Sequence, residues 1–139
     1  MGTTLTAIHL KGKTLYLGHV GDSRAYLFRR GELTALTSDH NMLTMVMGVD
    51  PDEARRRVGG NVLAQCVGGR SEDIVVEAAR ASLCRGDRIL LCSDGVHGVM
   101  DSREIGRLMA NADLTLTCKY LLDGAFAGGT TDNVTVLLV

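Results

Sequence analysis

Several features that define other protein classes are scarce or missing in this sequence of 139 residues. It has no tryptophan and a single proline, and no apolar run approaches the ~18–20 residues needed to span a bilayer. The first residues do not place an apolar stretch after a basic one, so we expect no signal peptide. We therefore predict a cytoplasmic protein with no membrane partner.

An excess of charge of either sign is also missing. Lys and Arg total 15, Asp and Glu total 16, and the net charge is −1. Nucleic-acid-binding domains carry a basic patch or a high isoelectric point, so we expect no nucleic-acid partner. Hydrophobic residues make up 45% of the chain, which is typical of a folded globular domain and too high for a disordered one.

The cysteines do not form a recognisable framework. The chain has four, and none of them are spaced as C-x-x-C. This pattern argues against a disulfide scaffold and against a cysteine-based zinc site. We expect four free thiols in a reducing compartment.

The amino-terminal part of the chain has the pattern of an antiparallel meander. Short runs rich in β-forming residues alternate with turn signals such as Lys11-Gly12-Lys13 and Arg30-Gly31-Glu32. The predicted strands are Leu5–Leu10, Thr14–Val20, Ala25–Arg29 and Leu33–Leu36.

The rest of the chain mixes strands and helices. Asp39 is placed to cap a helix that continues to Met47, and later helices are predicted from Asp101 to about Met109 and over Leu114–Phe126. In the second of these, Leu114, Cys118, Leu121, Leu122 and Ala125 share the predicted apolar face. Further strands are predicted at Asp73–Ala78, Arg88–Cys92 and Val134–Val139. This order predicts an α+β fold with a mostly antiparallel sheet, in one domain over residues 1–139.

Three carboxylates lie where a predicted strand meets a turn. Asp22 follows the second strand, Asp94 follows Ile89–Ser93, and Asp132 directly precedes the last strand. Oxygen ligands of this kind suit Mg²⁺ or Mn²⁺, and a pair of such ions can activate a water and clamp a phosphoryl group. The alternative is that each Asp only stabilises its own turn through side-chain hydrogen bonds.

Five segments, in order along the chain, resemble the motifs of one family. His19–Leu27 resembles the G-D-S-R segment of the metal-dependent protein phosphatases of the type 2C or PPM family, and Thr37–His40 resembles its T-x-D-H. Leu90–Val96 resembles its L-x-S-D-G, Gly128–Val136 its G-x-x-D-N-x-T-V, and Gly2–Thr4 the G-S/T-T/S before G-D-S-R. These motifs resemble most those of the bacterial members of the family. Together they correspond to the carboxy-terminal portion of the family's domain.

The resemblance implies a fold, a reaction and a set of ligands. The fold is an antiparallel β-sandwich flanked by helices. The reaction is hydrolysis of phosphoserine or phosphothreonine by a metal-activated water, without a phosphoenzyme. Asp94 and Asp132 correspond to ligands of the two core metals, Mg²⁺ or Mn²⁺, and Asp22 corresponds to a ligand of a third, weaker site.

The resemblance also implies a substrate-access region and partners. Residues of about 41–60 correspond to the family's flap, where Arg55, Arg56 and Arg57 are candidate contacts for a phosphopeptide. The alternative is that the three arginines form a solvated helical face. The implied partners are phosphorylated protein substrates and a Ser/Thr kinase.

The sequence departs from the family before its first motif. The family domain has further amino-terminal segments with an acidic residue, a phosphate-binding arginine and a D-G-x-G motif whose Asp bridges the metals, and no segment here matches them. We therefore expect a fragment, a half completed by a partner, or a degenerate relative, with a misassigned start or a domain deletion as the leading explanation.

These departures leave other functions open. The alternative to an enzyme is a non-catalytic pseudophosphatase that binds a phosphoprotein or a kinase. Without the first strands of the family fold, sheet edges would be exposed, and self-association through them is a further expectation.

Overall fold

The computed structural model describes residues 2–50, 52–53, 62–68 and 74–139. The strands are β1 (Leu5–Lys11), β2 (Thr14–Val20), β3 (Arg24–Arg29), β4 (Glu32–Ala35), β5 (Glu77–Ser82), β6 (Arg88–Cys92) and β7 (Val136–Leu138). The helices are α1 (Met42–Met47), α2 (Asp94–His97), α3 (Ser102–Met109) and α4 (Leu114–Ala127). The chain forms two compact units, Met1–Ser23 with Thr37–Cys84, and Arg24–Leu36 with Arg85–Val139.

The first unit contains an antiparallel sheet in the order β1-β2-β5. The central strand β2 alternates, and Leu15, Leu17 and His19 on one face are buried. Pairing with β1 sets Thr6 opposite His19, and pairing with β5 sets Glu77 opposite the same histidine. The register therefore places two polar side chains beside one buried imidazole.

The second unit contains an antiparallel sheet in the order β4-β3-β6-β7. Its core combines side chains of β3 and β6 with the apolar faces of the three helices that follow β6, and burial of these side chains stabilises the unit. The buried members are Tyr26, Phe28, Leu90, Cys92, Val96, Met100, Ile105, Met109 and Leu121.

The structure confirms most of the predicted elements. Strands β2 and β6 have the predicted bounds, β1 and β3 differ from the predicted strands by one residue at one end, and β4 is shifted by one residue at both ends. The predicted cap of α3 is present, since the Asp101 side chain accepts a hydrogen bond from Glu104 N at 2.8 Å. The α+β class with antiparallel sheets is also confirmed.

Three local predictions are wrong, and one short helix was missed. Residues 74–76 lie outside any strand and β5 runs to Ser82, because pairing with residues 14–19 of β2 sets its bounds. Helix α1 is capped by Asn41, not by Asp39, through a 2.8 Å hydrogen bond from Thr44 N. The last strand is shorter than predicted and begins at Val136, and the short helix α2 was not predicted.

The buried face of α4 is also shifted from the predicted one. Thr117, Leu121 and Ala125 are buried, whereas Leu114 is 39% exposed. Thr117 tolerates burial because its hydroxyl donates to Asp113 O at 2.8 Å. Among the described helices, none combines the length and the apolar character that crossing a membrane requires.

Candidate metal centre

Asp94 and Asp132 lie at the same end of the second sheet. Cys92, the last residue of β6, pairs with Val136, the first residue of β7. Asp94 comes two residues after the end of β6, and Asp132 comes four residues before the start of β7. Because the two strands are antiparallel, both carboxylates belong to the segments that meet at one edge of the sheet.

Ser93 ties these two segments together. Its hydroxyl donates to Asn133 O at 3.0 Å and accepts from Thr135 N at 3.0 Å, and its backbone N–H donates to Thr135 O at 3.1 Å. Three hydrogen bonds therefore connect the residue before Asp94 to the residues after Asp132. This network fixes the main chain just before Asp94 and just after Asp132.

Gly95 allows the same two segments to approach closely. A Cβ atom at this position would lie 2.5 Å from Asn133 O and 3.1 Å from the Asn133 carbonyl carbon. Both contacts are with backbone, so a larger residue would push the Asp132–Asn133 loop away from α2. The glycine of the S-D-G segment is thus explained by packing beside the predicted metal ligands.

The two carboxylates have different surroundings. Asp94 is half-buried, and its side chain has no hydrogen-bond or ion-pair partner among the described residues. Asp132 is exposed, and its Oδ1 accepts from Asn133 N at 2.7 Å. An unpaired, half-buried carboxylate in a segment joined to that of a second carboxylate suits a divalent cation, because the cation supplies the positive charge that protein groups do not. The residues present therefore fit Mg²⁺ or Mn²⁺.

Asp22 belongs to the first unit, in a turn held by several hydrogen bonds. Gly21 has φ +116° and a built Cβ would lie 2.4 Å from Thr4 Cγ2, so only glycine fits. His40 N–H donates to Gly21 O at 2.7 Å, and Ser23 Oγ lies 2.9 Å from Thr4 Oγ1. The turn buries Asp22, which is 7% exposed. Its role as a metal ligand stays a prediction.

The three arginines proposed as substrate contacts, Arg55, Arg56 and Arg57, lie outside the described residues. The flap-like insertion predicted for residues 41–60 is described in part. It includes α1 and the left-handed Gly48, with φ +64°, that ends the helix.

A group of side chains that sequence reasoning did not assemble lies in the first unit. The ligand atoms of His19, His40 and Glu77 all lie within 4.8 Å of one another. The two imidazole ring centroids are 4.8 Å apart, and His40 Nε2 lies 3.6 Å from Glu77 Oε2. No spacing in the sequence could indicate this group, because it depends on the β2–β5 register that sets His19 opposite Glu77.

The environment of His19 favours the neutral imidazole. Burial lowers its pKa below the ordinary value of 6.5, and the nearby His40 lowers it further. The charge of Glu77 and the backbone groups of Gly21 and Ser38 act in the opposite direction but do not outweigh burial. His19 therefore remains unprotonated at neutral pH.

Comparison with known proteins identifies relatives along the whole chain. Residues 1–62 match the sequence profile of protein phosphatase 2C. The chain is 36% identical to the serine/threonine protein phosphatase PstP of Mycobacterium tuberculosis. The alignment covers 99% of this chain and 27% of PstP. It is 34% identical to the protein phosphatase PhpP of Streptococcus pneumoniae over 100% of its length and 58% of that protein.

Solved structures give the same result for the fold. The crystal structure of the M. tuberculosis phosphatase PstP/Ppp superposes with a TM-score of 0.91 at 34% identity, covering 99% of this chain and 59% of that one. The catalytic domain of PstP in complex with two manganese ions superposes with a TM-score of 0.86 at 34% identity, over 99% of this chain and 58% of that one. The chain thus spans between about a quarter and three fifths of the length of these relatives.

Proposed function

Because this chain belongs to the protein phosphatase 2C family and represents part of its domain, we propose that it serves in the hydrolysis of phosphoserine and phosphothreonine on proteins. Mg²⁺ or Mn²⁺ is the proposed cofactor, and the manganese complex of the PstP catalytic domain, with its two ions, supports this choice. The phosphorylated protein is the proposed substrate, as the names of the relatives imply.

The observation that carries this proposal is that the segment with Asp94, after β6, and the segment with Asp132, before β7, are joined at the same end of the second sheet. We assign Asp94 and Asp132 to hold the cations, and the cations would supply a polarised water for attack on phosphorus. Ser93 and Gly95 keep the two carboxylate segments adjacent through the contacts described above. These residues orient the ligands, which is the contribution a protein makes to a metal site beyond the ligands themselves.

Asp22 is a proposed ligand of an additional cation, and the clamped turn around it supports this assignment. Its backbone neighbour Gly21 is fixed by His40 and Thr4, so the Asp22 side chain starts from a rigid backbone. A side chain on a rigid backbone loses less conformational freedom when it binds a metal ion, so a fixed turn favours binding.

We propose three further properties of finer detail. The protein acts in signalling, opposite a Ser/Thr kinase, since its substrates carry the product of such a kinase. It works in a reducing cytoplasm, which is supported by the absence of a disulfide bond at the described cysteines Cys66, Cys84, Cys92 and Cys118. Two copies self-associate through β1, an outer strand of its sheet that exposes Leu5 and Leu10.

Hydrolysis of a small aryl phosphate with Mn²⁺ tests the proposal. The purified chain should release phosphate only with the cation, and EDTA should stop the reaction. Asp94→Asn and Asp132→Asn should each lower the rate by more than about 100-fold, the upper end of what loss of a supporting residue costs. Asp123→Asn is the matched control, because Asp123 is exposed on α4 and pairs only with Lys119 among the described residues.

Each result has a definite meaning. An equal rate in Asp94→Asn would contradict the proposed metal centre. A folded chain that binds Mn²⁺ but releases no phosphate would favour the second function, a non-catalytic module that binds phosphoproteins.

Sedimentation at increasing protein concentration checks self-association through β1. A single monomeric species at all concentrations would contradict it.

A further inference from the structure

The first unit contains a buried nitrogen atom with no hydrogen-bond partner. His19 is 1% exposed, and its Nε2 has no partner among the described residues. A buried polar atom left unpaired costs free energy, so its presence requires an explanation. His19 belongs to a group with two further side chains that can bind a metal, His40 and Glu77, and one ligand atom of each residue lies within 4.8 Å of the others.

The hydrogen bonds of Thr6 favour a proton on Nδ1 of His19. Thr6 Oγ1 donates to Ser23 O at 3.3 Å, so its single proton is used there. The 2.9 Å contact between Thr6 Oγ1 and His19 Nδ1 is compatible with donation from Nδ1–H to the hydroxyl. This assignment leaves the lone pair of Nε2 free and pointing away from Thr6, which is the state of a histidine that binds a metal through Nε2.

The neighbouring carboxylate is also held in place. Glu77 Oε2 accepts from Ser38 N at 2.9 Å, and Oε1 lies 3.4 Å from Ser38 Oγ. Its side chain is 29% exposed, whereas that of His40 is 8% exposed. The group is therefore reached from solvent past Glu77, while the two imidazoles form its buried wall.

From this arrangement we propose a second, separate metal site, in which His19 Nε2, His40 Nε2 and the Glu77 carboxylate bind one Zn²⁺ ion. Two imidazoles and one carboxylate are a donor set that Zn²⁺ accepts, with a water in the fourth position. Ligand atoms around tetrahedral zinc lie about 3.4 Å apart, close to the 3.6 Å between His40 Nε2 and Glu77 Oε2. Mg²⁺ prefers oxygen ligands and would not compete well here.

Binding requires one rearrangement of a proton. Gly21 N–H donates to His40 Nδ1 at 3.3 Å, so the metal-free ring carries its proton on Nε2. For zinc to take that position, the ring proton must move to Nδ1, so that Nδ1–H and Gly21 N–H become two donors facing each other and the Gly21 N–H must turn away. The shorter bond from His40 N–H to Gly21 O, at 2.7 Å, remains. No proton is gained or lost overall, and the turn stays attached.

The expected role of the ion is to cross-link the first unit. His19 lies near the end of β2, Glu77 begins β5, and His40 lies in the segment before α1. An ion that binds the folded chain and not the unfolded one stabilises the fold in proportion to its concentration. Zinc should therefore raise the midpoint of thermal unfolding.

Zinc titration of the full chain, with saturating Mg²⁺ present to occupy the oxygen ligands, tests the site by calorimetry and thermal unfolding. We expect one bound Zn²⁺ and a higher unfolding midpoint. His19→Gln and Glu77→Gln should weaken binding by more than about 100-fold. His9→Gln is the matched control, because His9 is an exposed histidine of the neighbouring strand β1.

Nitrogen NMR of the unmodified chain gives a readout that does not depend on how the variants fold. Zinc should shift the Nε2 resonances of His19 and His40 and the amide of Gly21. Cobalt in place of zinc should give visible bands without the near-ultraviolet thiolate band that cysteine ligands would produce. Absence of zinc binding, equal binding in His19→Gln, or shifts limited to His9 and the cysteines would overturn the proposal.

Discussion

The two units hold metal-binding side chains in opposite ways. In the second unit, the proposed oxygen ligands Asp94 and Asp132 lie at one end of the sheet, in segments that are exposed or half-buried. In the first unit, the proposed nitrogen ligands His19 and His40 are buried, and Glu77 is the more exposed member of the group. This contrast is what we expect between a site that a large substrate must reach and a site that stabilises a fold. Four changes, three substitutions and one shift of pH, probe this contrast.

Gly21→Ala should produce the largest effect, on the stability of the first unit. The new Cβ would lie 2.4 Å from Thr4 Cγ2 and 3.1 Å from Thr4 Cα, in a backbone with φ +116°. Overpacking costs about 1–3 kcal/mol and the strained backbone about 1–3 kcal/mol more. Urea unfolding should report a combined loss of about 3 kcal/mol or more. Gly12→Ala, at a positive φ with no atom within 4 Å, separates strain from overpacking, and an equal loss there would contradict the role of Thr4.

Gly95→Ala should produce the next largest effect, in the second unit. Its Cβ meets the Asn133 carbonyl at 2.5 Å, so the loop carrying Asp132 must move, at a cost of about 1–3 kcal/mol. We expect lower Mn²⁺ affinity together with lower stability, measured by calorimetry and urea unfolding. Unchanged Mn²⁺ affinity in a destabilised protein would mean that the close approach serves packing alone.

Ser93→Ala should cost less, about 1–2 kcal/mol, because it removes two side-chain hydrogen bonds of ordinary strength in a partly solvated place. The lost bonds are those to Asn133 O and from Thr135 N. Mn²⁺ affinity should fall by about 10-fold to 100-fold, as for other supporting residues. Ser93→Thr keeps the hydroxyl and should restore the affinity, and failure to do so would contradict the positioning role.

Acidification should produce a smaller effect, confined to the histidine group. The pKa of His19 is lowered by burial and by His40, so below its ordinary value of 6.5 the unfolded chain binds more protons than the folded one. Stability is then fully present above pH 6.5 and falls as the pH drops toward the lowered pKa. The groups facing His19 are His40 and Glu77. His19→Gln should flatten the profile measured by urea unfolding, and parallel profiles would contradict this origin.

Parts of the second unit could be predicted well from the sequence because their signals are local, although α2 and the start of β7 were missed. The capping residue Asp101 and the buried strand β6 are each defined within a few residues. The family motifs then placed Asp94 and Asp132, whose common edge follows from the pairing of β6 with β7. The shifted face of α4 was missed because Thr117 is buried with its hydroxyl satisfied by Asp113 O, which hydropathy does not indicate.

The histidine group could not be predicted because its signal is not local. Glu77 begins a strand whose bounds were themselves misplaced, since the isolated sequence holds no information on the register between β2 and β5. The cap at Asn41 was missed for a related reason. Asp39 and Asn41 are both capping residue types, and their similar chemistry leaves tertiary packing to decide between them. Asp39 is buried at 1% exposed while the Asn41 side chain accepts from Thr44 N.

A double-mutant cycle of Mn²⁺ affinity on Asp94 and Asp132 asks whether the two carboxylates form one metal centre. If both belong to one centre, each single change to asparagine should abolish most of the binding. The double variant should then be little weaker than either single variant, because coupled residues are not additive. If the two losses instead add in full, the carboxylates act independently, and the proposed metal centre would be contradicted.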